Sequence, residues 1–383
     1  MDTKKLTTEL ITRESYNALL GYIGLLPNPD KVLRNTGKTI EAYRELKNDP
    51  HVWSCVQSRK SGLLSWDYSI VPYGASSTIA NELEQFFADI DLQQIERDIL
   101  EAPLFGYQPM EIVWKTTSGN KRYIVPEKIV AKPQEWFFYD NNGSLRYRKS
   151  GEPKGIEPPP MKILNVQYEA SYMNPYGNAL LGKCYWPVTF KNGAIRFWVN
   201  FMEKYGMPLL LGQFTRGATF EESKKLADDL ANMTEDSVIV TPGDIKIEMH
   251  EAMRSTSIAL YKEMIKHCNS EISKAILSQT LTTEMEMGSY AASQTHFKVR
   301  REVILSDMRL VESVMNTVIG YIVDLNFGAS VYPKFELLMN DEVNMDKVER
   351  DLKLSQTGSV RFTKQYWLNN YGFKEEEIET NSE

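Results

Sequence analysis

Four histidines, at positions 51, 250, 267 and 296, are the first place to look for chemistry, and they stand singly. Only His267 has acidic neighbours at helical spacing: Glu263 precedes it by four residues and Glu271 follows by four, so all three share one face of a helix. Two ligands and a general base could use such a row. No second ligand pair accompanies it, however, and a solvated ion-pair face accounts for the same residues. The pairs Asp228/Asp229 and Glu284/Glu286 could hold Mg²⁺, but neither has a partner carboxylate nearby in sequence. No Gly-x-Ser-x-Gly elbow, Gly-rich phosphate cradle or Cys-x-x-Cys pair is present. Cys55, Cys184 and Cys268 lie far apart in apolar helical settings and read as reduced core thiols. The expectation is a protein with no catalytic residue, no metal and no cofactor. A metal- or nucleotide-dependent nucleic-acid enzyme assembled from distant residues is the rival reading, and substitution of His267 or Glu271 is its test.

Polar chemistry of another kind sits at 278–286. Ser278, Gln279, Thr280, Leu281, Thr282, Thr283 and Glu284 join two apolar-seamed helices with small hydroxyls and negative charge, a composition that solvates a loop without gripping phosphates. Just beyond it, Lys298, Arg300 and Arg301 form a local basic cluster. Surface ion pairs to Glu302 or Asp307 explain that cluster, as does contact with a polyanion or with an acidic face of a neighbouring subunit.

The elements that must position these residues follow from periodicity. Residues 174–208 read as one long helix between a capping signal at Asn174 and Gly177 and a stop at Gly206 and Pro208, with eight aromatic side chains. Aromatic and aliphatic residues (Leu180, Leu181, Tyr185, Trp186, Phe190, Ile195, Phe197, Trp198, Phe201 and Met202) fall on almost every side of the cylinder, so it must pack against other helices or subunits. Pro187 predicts a kink. Lys183, Lys191, Arg196, Glu203 and Lys204 recur too often for a membrane span, which needs roughly 18 nearly uncharged apolar residues. A core helix and the wall of an assembly both satisfy this pattern. The helix expected at 256–279 carries Ile258, Tyr261, Ile265, Cys268 and Ile272 on one face and Lys262, Glu263, Lys266, Glu271 and Lys274 opposite. A longer one, 289–326, repeats the seam at Ile304, Met308, Val311, Met315, Val318, Ile322 and Leu325 and stops at Gly328.

Upstream, the pattern predicts a polar N-terminal arm over the first forty or so residues, a helix from Pro50, a strand at 66–70 and two helices over 77–105. Strands follow at 110–115, 123–130, 136–139 and 145–148, with Asn141-Asn142-Gly143 as a hairpin turn. Glu157-Pro158-Pro159-Pro160 is a rigid break before a strand at 162–168, which makes 49–170 an α+β module. A small α/β insert is expected between the long helices, with strands at 208–214, 237–240 and 245–249 and a helix at 219–232. A short helical tail ends the chain.

Length and charge bound the function. The 383 residues allow two or three modules, and 42% hydrophobic with 25% charged residues is ordinary for a globular protein. The first residues lack the apolar stretch of a signal peptide, so a cytoplasmic start is expected. A net charge of -7 argues against a protein that grips nucleic acid, while a mildly repulsive surface lets a polyanion slide past.

Four blocks, in order, resemble the Mu-like portal proteins of tailed bacteriophages. They are Asp49-Pro50-His51-Val52-Trp53 through Trp66-Asp67-Tyr68-Ser69-Ile70; Tyr176-Gly177-Asn178 through Tyr205-Gly206-Met207-Pro208; Gln279-Thr280-Leu281-Thr282-Thr283; and Asp307-Met308-Arg309-Leu310 through Leu325-Asn326-Phe327-Gly328. The resemblance implies an α+β portal fold. Its parts would be an N-terminal arm at 1–48, a wing at 49–176, stem helices at 177–205 and 255–277, a clip at 206–254, a tunnel loop at 278–288, a long helix at 289–328 and a C-terminal tail or reduced crown at 329–383. It implies a homo-oligomeric ring, commonly a dodecamer, at one capsid vertex of the virion, assembled in the host cytoplasm. Through it double-stranded DNA would pass without sequence specificity. The implied partners are further copies of the chain, the large terminase subunit, the major capsid protein and head-completion or connector proteins, with no membrane; another head or connector component is the nearest alternative. Ser278 stands where the family often has glycine, so a tight turn there is not implied. The chain also stops soon after Tyr371-Gly372-Phe373, which implies a small or absent crown.

Overall fold

The computed structural model describes residues 25–26, 28–118, 121–205, 209–213, 219–222, 224–225, 228, 246–250, 254–280, 290–338, 345–356, 362–363 and 366. By contact density the chain divides into two units, one of residues 1–64 with 70–335 and one of 65–69 with 336–383.

The first unit begins with strand β1 (Leu25–Leu26) and two short helices, α1 (Lys31–Thr36) and α2 (Glu41–Leu46). Asp30 caps α1 by accepting from the amides of Val32 and Leu33, and Gly37 ends it at φ +66°. The polar arm expected over the first forty residues is therefore corrected from Asn28 onward. Leu33, Ile40, Tyr43 and Leu46 point into the main core, Tyr43 with no exposed surface. Sparse apolar residues at helical spacing suffice when a core is waiting for them.

Helix α3 (Pro50–Leu64) follows, with proline in its first turn and Asp49 accepting from the amides of His51 and Val52. It buries Val52, Cys55, Val56, Arg59 and Leu63, and Lys60 as well. The region expected as two helices over 77–105 is three: α4 (Ser77–Ala88), α5 (Leu92–Ile99) and α6 (Ala102–Phe105). Two sheets come next. The three-stranded one, in order β4-β3-β8, consists of β3 (Tyr107–Thr116), β4 (Ile124–Ala131) and β8 (Ile163–Gln167), all antiparallel. The four-stranded one, β1-β5-β6-β7, is built on β5 (Phe137–Asp140), β6 (Leu145–Lys149) and β7 (Glu152–Ile156). The turn at Asn141-Asn142-Gly143 joins β5 to β6 as expected, Gly143 taking φ +80°. The sequence pattern missed β7, because Pro153 and Gly155 argue against a strand; as an edge strand it accommodates both.

Helix α7 (Leu180–Tyr205) is shorter at its start than expected. Residues 174–179, expected as its start, are not helical, and they follow a braced turn in which Ser171 and Asn174 exchange backbone hydrogen bonds at 3.1 and 3.0 Å. Pro187 lies inside the helix. Beyond it, β9 (Leu209–Gln213) pairs antiparallel with β10 (Lys246–His250), and residues 220–222, 224–225 and 228 are helical. The strand expected at 237–240 lies outside the described residues.

Helix α8 (Arg254–Leu277) packs on α7 and α3. Phe201 meets Tyr261 with ring centroids 6.1 Å apart, and burial raises the Cys268 thiol pKa while the nearby Lys191 opposes the rise, so α7 and α8 run antiparallel. Helix α9 (Tyr290–Asn326) packs on α3, α5 and β4. It buries Val311, Met315, Val318 and Ile322 as predicted, with Ile319 and Val323 beside them, whereas Leu325 is exposed. Gly328 at φ +57° returns its amide to the Val323 carbonyl and ends the helix.

In the second unit, the outer parts of β2 (Asp67–Val71) and β11 (Lys334–Leu338) belong to a two-stranded sheet. Helix α10 (Met345–Gln356) buries Asp351, which accepts from Arg350 at 2.8 Å and from the Tyr366 hydroxyl at 2.9 Å.

Candidate assembly face and channel loop

Three helices converge at the base of the polar loop, and a buried arginine ties them. Arg59 on α3 forms a two-toothed pair with Asp307 on α9, Nε to Oδ2 at 2.7 Å and an Nη to Oδ1 at 2.8 Å. Its other Nη donates to the Ile276 carbonyl at 2.8 Å, in the last turn of α8. Both charges are almost wholly buried. Burial alone would lower the Arg59 pKa, and the hydrogen-bonded Asp307 carboxylate outweighs it, so the net shift is upward. One residue after α8 ends, Ser278 takes the left-handed conformation at φ +58°. The tight turn not implied by a serine is thus made, at the cost of a Cβ in a region that glycine prefers.

The expected channel residues divide. Ser278 is exposed and Thr280 half-buried, but the Gln279 side chain is turned into the protein. Leu281, Thr282, Thr283 and Glu284 lie outside the described residues. In the basic cluster Lys298 and Arg301 are exposed, and half-buried Arg300 donates to the Ser58 carbonyl at 3.2 Å. The expected ion pair of this cluster with Asp307 is corrected: Asp307 belongs to Arg59, because a carboxylate with one per cent exposure needs a buried donor fork rather than a solvated cation.

The α7 helix changes character along its length. Its first turns are core: Leu181, Cys184, Tyr185 and Val188 are buried. Lys191, the next inward position, is buried too and meets Asp49 at 2.8 Å. Trp186 and Phe190 stack on one another at 5.7 Å on the outer side, and Phe190 is 53% exposed. From there Ile195, Phe197, Val199 and Met202 are all exposed, Phe197 to 66%, while Trp198 and Phe201 are half-buried. On α8, Ile272 is buried and Tyr261 and Ile265 half-buried, with Leu260 and Met264 exposed nearby; the Ile258 side chain lies outside the described residues. Large apolar groups left in water along this much of a helix mark interaction surface rather than scattered surface hydrophobes.

One further ionic node and a histidine–serine hydrogen bond brace the helices behind this face. Lys60 donates to Glu101 at 2.5 Å and to the Arg97 carbonyl at 2.8 Å, and Lys47 donates to both Glu101 oxygens at 3.0 Å. Burial would raise the Glu101 carboxyl, and the two lysines outweigh it to hold it below the usual range. His51 meets the Ser273 hydroxyl at 2.8 Å. Sequence reasoning missed these partners; the one available signal was Arg59 and Lys60 on an otherwise apolar helical face. His267 and Glu271 lie on the outer face of α8, where Lys274 holds the Glu271 carboxyl low by a hydrogen bond at 2.7 Å. Among the described residues no group of three or more metal-ligating side chains converges, and no helix is long and apolar enough to cross a membrane.

Residues 40–373 match the family model for the portal protein of Mu bacteriophage. The chain belongs to that family. Two curated relatives are the Mu-like prophage FluMu protein gp29 of Haemophilus influenzae, 26% identical over 326 residues, and the portal protein of Escherichia phage Mu, 26% identical over 305. The alignments cover 81% and 76% of this portal-family chain but 59% and 57% of those relatives, so the chain spans under three-fifths of their length. Among solved structures, a chain in the virion of a native gene transfer agent particle aligns with a TM-score of 0.64 at 12% identity, covering 94% of this chain and 98% of that one. A chain in the neck of the native particle, computed with C12 symmetry, gives a TM-score of 0.59 at 12% identity with the same coverage. At that identity the likeness speaks to the fold, which is the expected mixed α+β architecture.

Proposed function

We propose that copies of this chain close into a portal ring at one capsid vertex, through which double-stranded DNA is packaged and released. The observation that carries the reading is the outer side of α7, where Trp186, Phe190 and Phe197 are left in water by the single chain although its family builds portals. Neighbouring copies are the natural cover for a face repeated on every subunit. In this reading 49–176 is the wing, α7 and α8 the stem, 206–254 the clip and 278–288 the tunnel loop, with a dodecamer the expected ring. ATP hydrolysis belongs to the large terminase subunit, which docks with the connector proteins at the clip, and the portal itself is not an enzyme. The net charge of -7 suits a conduit, since neutralising even 6–10 phosphates would make DNA binding tight and salt-sensitive.

Electron microscopy of the purified protein tests the assembly. Rings with a central hole of duplex width are expected, and monomers under all conditions, including co-expression with the capsid protein, would refute it. Deleting residues 280–283 tests the channel: rings should still form while packaging or retention of DNA falls. Equal packaging by deleted and intact proteins would remove the tunnel-loop assignment.

A further inference from the structure

Two features at opposite ends of strand β8 complement one another, and neither can satisfy the other within one copy. At the C-terminal end is a rigid knob. The backbone leaves β8 through Tyr168, which donates to the Gly106 carbonyl at 2.9 Å, and returns where Asn178 donates to the Tyr168 carbonyl at 2.9 Å. Between them Ser171 and Asn174 close a two-residue hairpin, Asn174 Nδ2 donates to the Gly177 carbonyl at 2.6 Å, and Gln167 Nε2 donates to the Pro175 carbonyl at 2.6 Å. Gly177, at φ +72°, is packed so closely that a Cβ there would collide with the carbonyl oxygens of Gly106 and Tyr168. All this bracing presents Tyr172 and Met173 at the hairpin tip, Met173 64% exposed. Large apolar side chains at the tip of a pre-organised turn lose little freedom on docking.

At the N-terminal end of the same strand is a cavity of about 570 Å³. Trp136, Tyr147, Pro158, Pro159 and Ile163 line it with apolar surface, and Trp136 is 55% exposed. Its rim is cationic: Lys132, Arg148 and Lys162 surround one carboxylate, Glu111, which Lys132 and Lys162 already neutralise at 2.9 and 3.3 Å. Arg148 spends its Nε on the Glu135 carbonyl, so the rim retains positive charge. The knob segment 169–178 carries one carboxylate, Glu169, and no cation. Ile163 at the cavity and Gln167 at the knob are four residues apart along β8, roughly 13 Å at the strand rise, with the hairpin reaching further on. The knob and its own cavity thus lie at opposite ends of the strand.

We propose that the Tyr172–Met173 knob of one copy seats in the Trp136/Pro158/Pro159 cavity of the next, with Glu169 facing the Arg148 rim. The contact is heterologous, two different patches meeting head to tail, which is the kind that generates rings. It rests on the ring reading and adds which surfaces meet. The full chain with Met173→Cys and Pro159→Cys, both at exposed positions, provides the test, since the three native cysteines are buried. Mild oxidation should produce a covalent ladder extending past the dimer, and neither single variant should cross-link. Rings in the electron microscope without a ladder would overturn this contact and leave the ring reading standing. Dimers from a single variant would overturn it by showing a two-fold contact, and particles that stay monomeric would remove the ring reading and this contact together. Met173→Asp should raise the concentration needed for assembly by on the order of tenfold or more without altering the monomer's circular dichroism; unchanged assembly counts against the contact.

Discussion

Breaking the Arg59–Asp307 pair is the most direct probe of how the three helices are joined beneath the polar loop. Both side chains are buried, the geometry is two-toothed at 2.7 and 2.8 Å, and the third hydrogen bond reaches the end of α8. Two unit charges 4 Å apart attract by about 4 kcal/mol at an effective dielectric of ~20, and removing one partner of a buried pair leaves the other uncompensated, at roughly 3–5 kcal/mol. Asp307→Ala should therefore lose about 3–5 kcal/mol, and Arg59→Met a similar amount. The double variant Arg59→Met/Asp307→Leu should recover most of that loss, because an apolar pair of similar volume avoids the desolvation penalty. Urea denaturation read by circular dichroism, at concentrations below assembly so that mass action does not add to stability, gives the four corners of the cycle. Hydrogen exchange at Ile276 and Leu277 should quicken in Asp307→Ala, because the arginine that holds the Ile276 carbonyl is released. Single variants costing under ~1 kcal/mol, or a double variant as unstable as the sum of the two, would refute the reasoning.

Further expectations follow from single residues. Burial alone pushes the Glu96 carboxyl from 4.5 up to about 7, so its stabilising share is present below the unfolded pKa and is lost as pH rises through 7; a shift of that size is on the order of 3 kcal/mol. Glu96→Gln should thus gain on the parent by about that much between pH 4.5 and 8 in denaturation curves, and parallel curves would disprove it. Ser278→Gly, which relieves the left-handed φ of +58°, should stabilise the monomer by ~1 kcal/mol in the same assay, whereas a loss would show that the serine side chain contributes there. Gly177→Ala should cost more than about 2 kcal/mol, since strain at φ +72° and collision with two carbonyls coincide; a soluble variant with unchanged midpoint would contradict the close packing.

The order and type of the long elements were legible in the sequence because each is set locally. Proline at the start of α3, the apolar periodicity of α8 and α9, the Asn141-Asn142-Gly143 turn and the stop at Gly328 act through a few adjacent residues, and those elements appear near their expected positions. Period alone could not say which side of an aromatic helix meets its own core. On α7 that depended on α2, α6 and α8 covering Leu181, Cys184 and Tyr185 and stopping short of Phe190 and Phe197. The buried ion pairs were equally hidden, for Arg59 and Asp307 are 248 residues apart and a charge in sequence looks the same whether it faces water or a partner. The arm was misjudged from Asn28 to Ile40 because whether a few spaced apolar residues fold depends on the core that receives them. Knob and cavity, too, exist only in three dimensions: one strand sets them at opposite ends, and the close approach of Gly106 to Gly177 holds the hairpin outward. Local chemistry fixed the elements, and long-range packing decided which surfaces were left for other molecules.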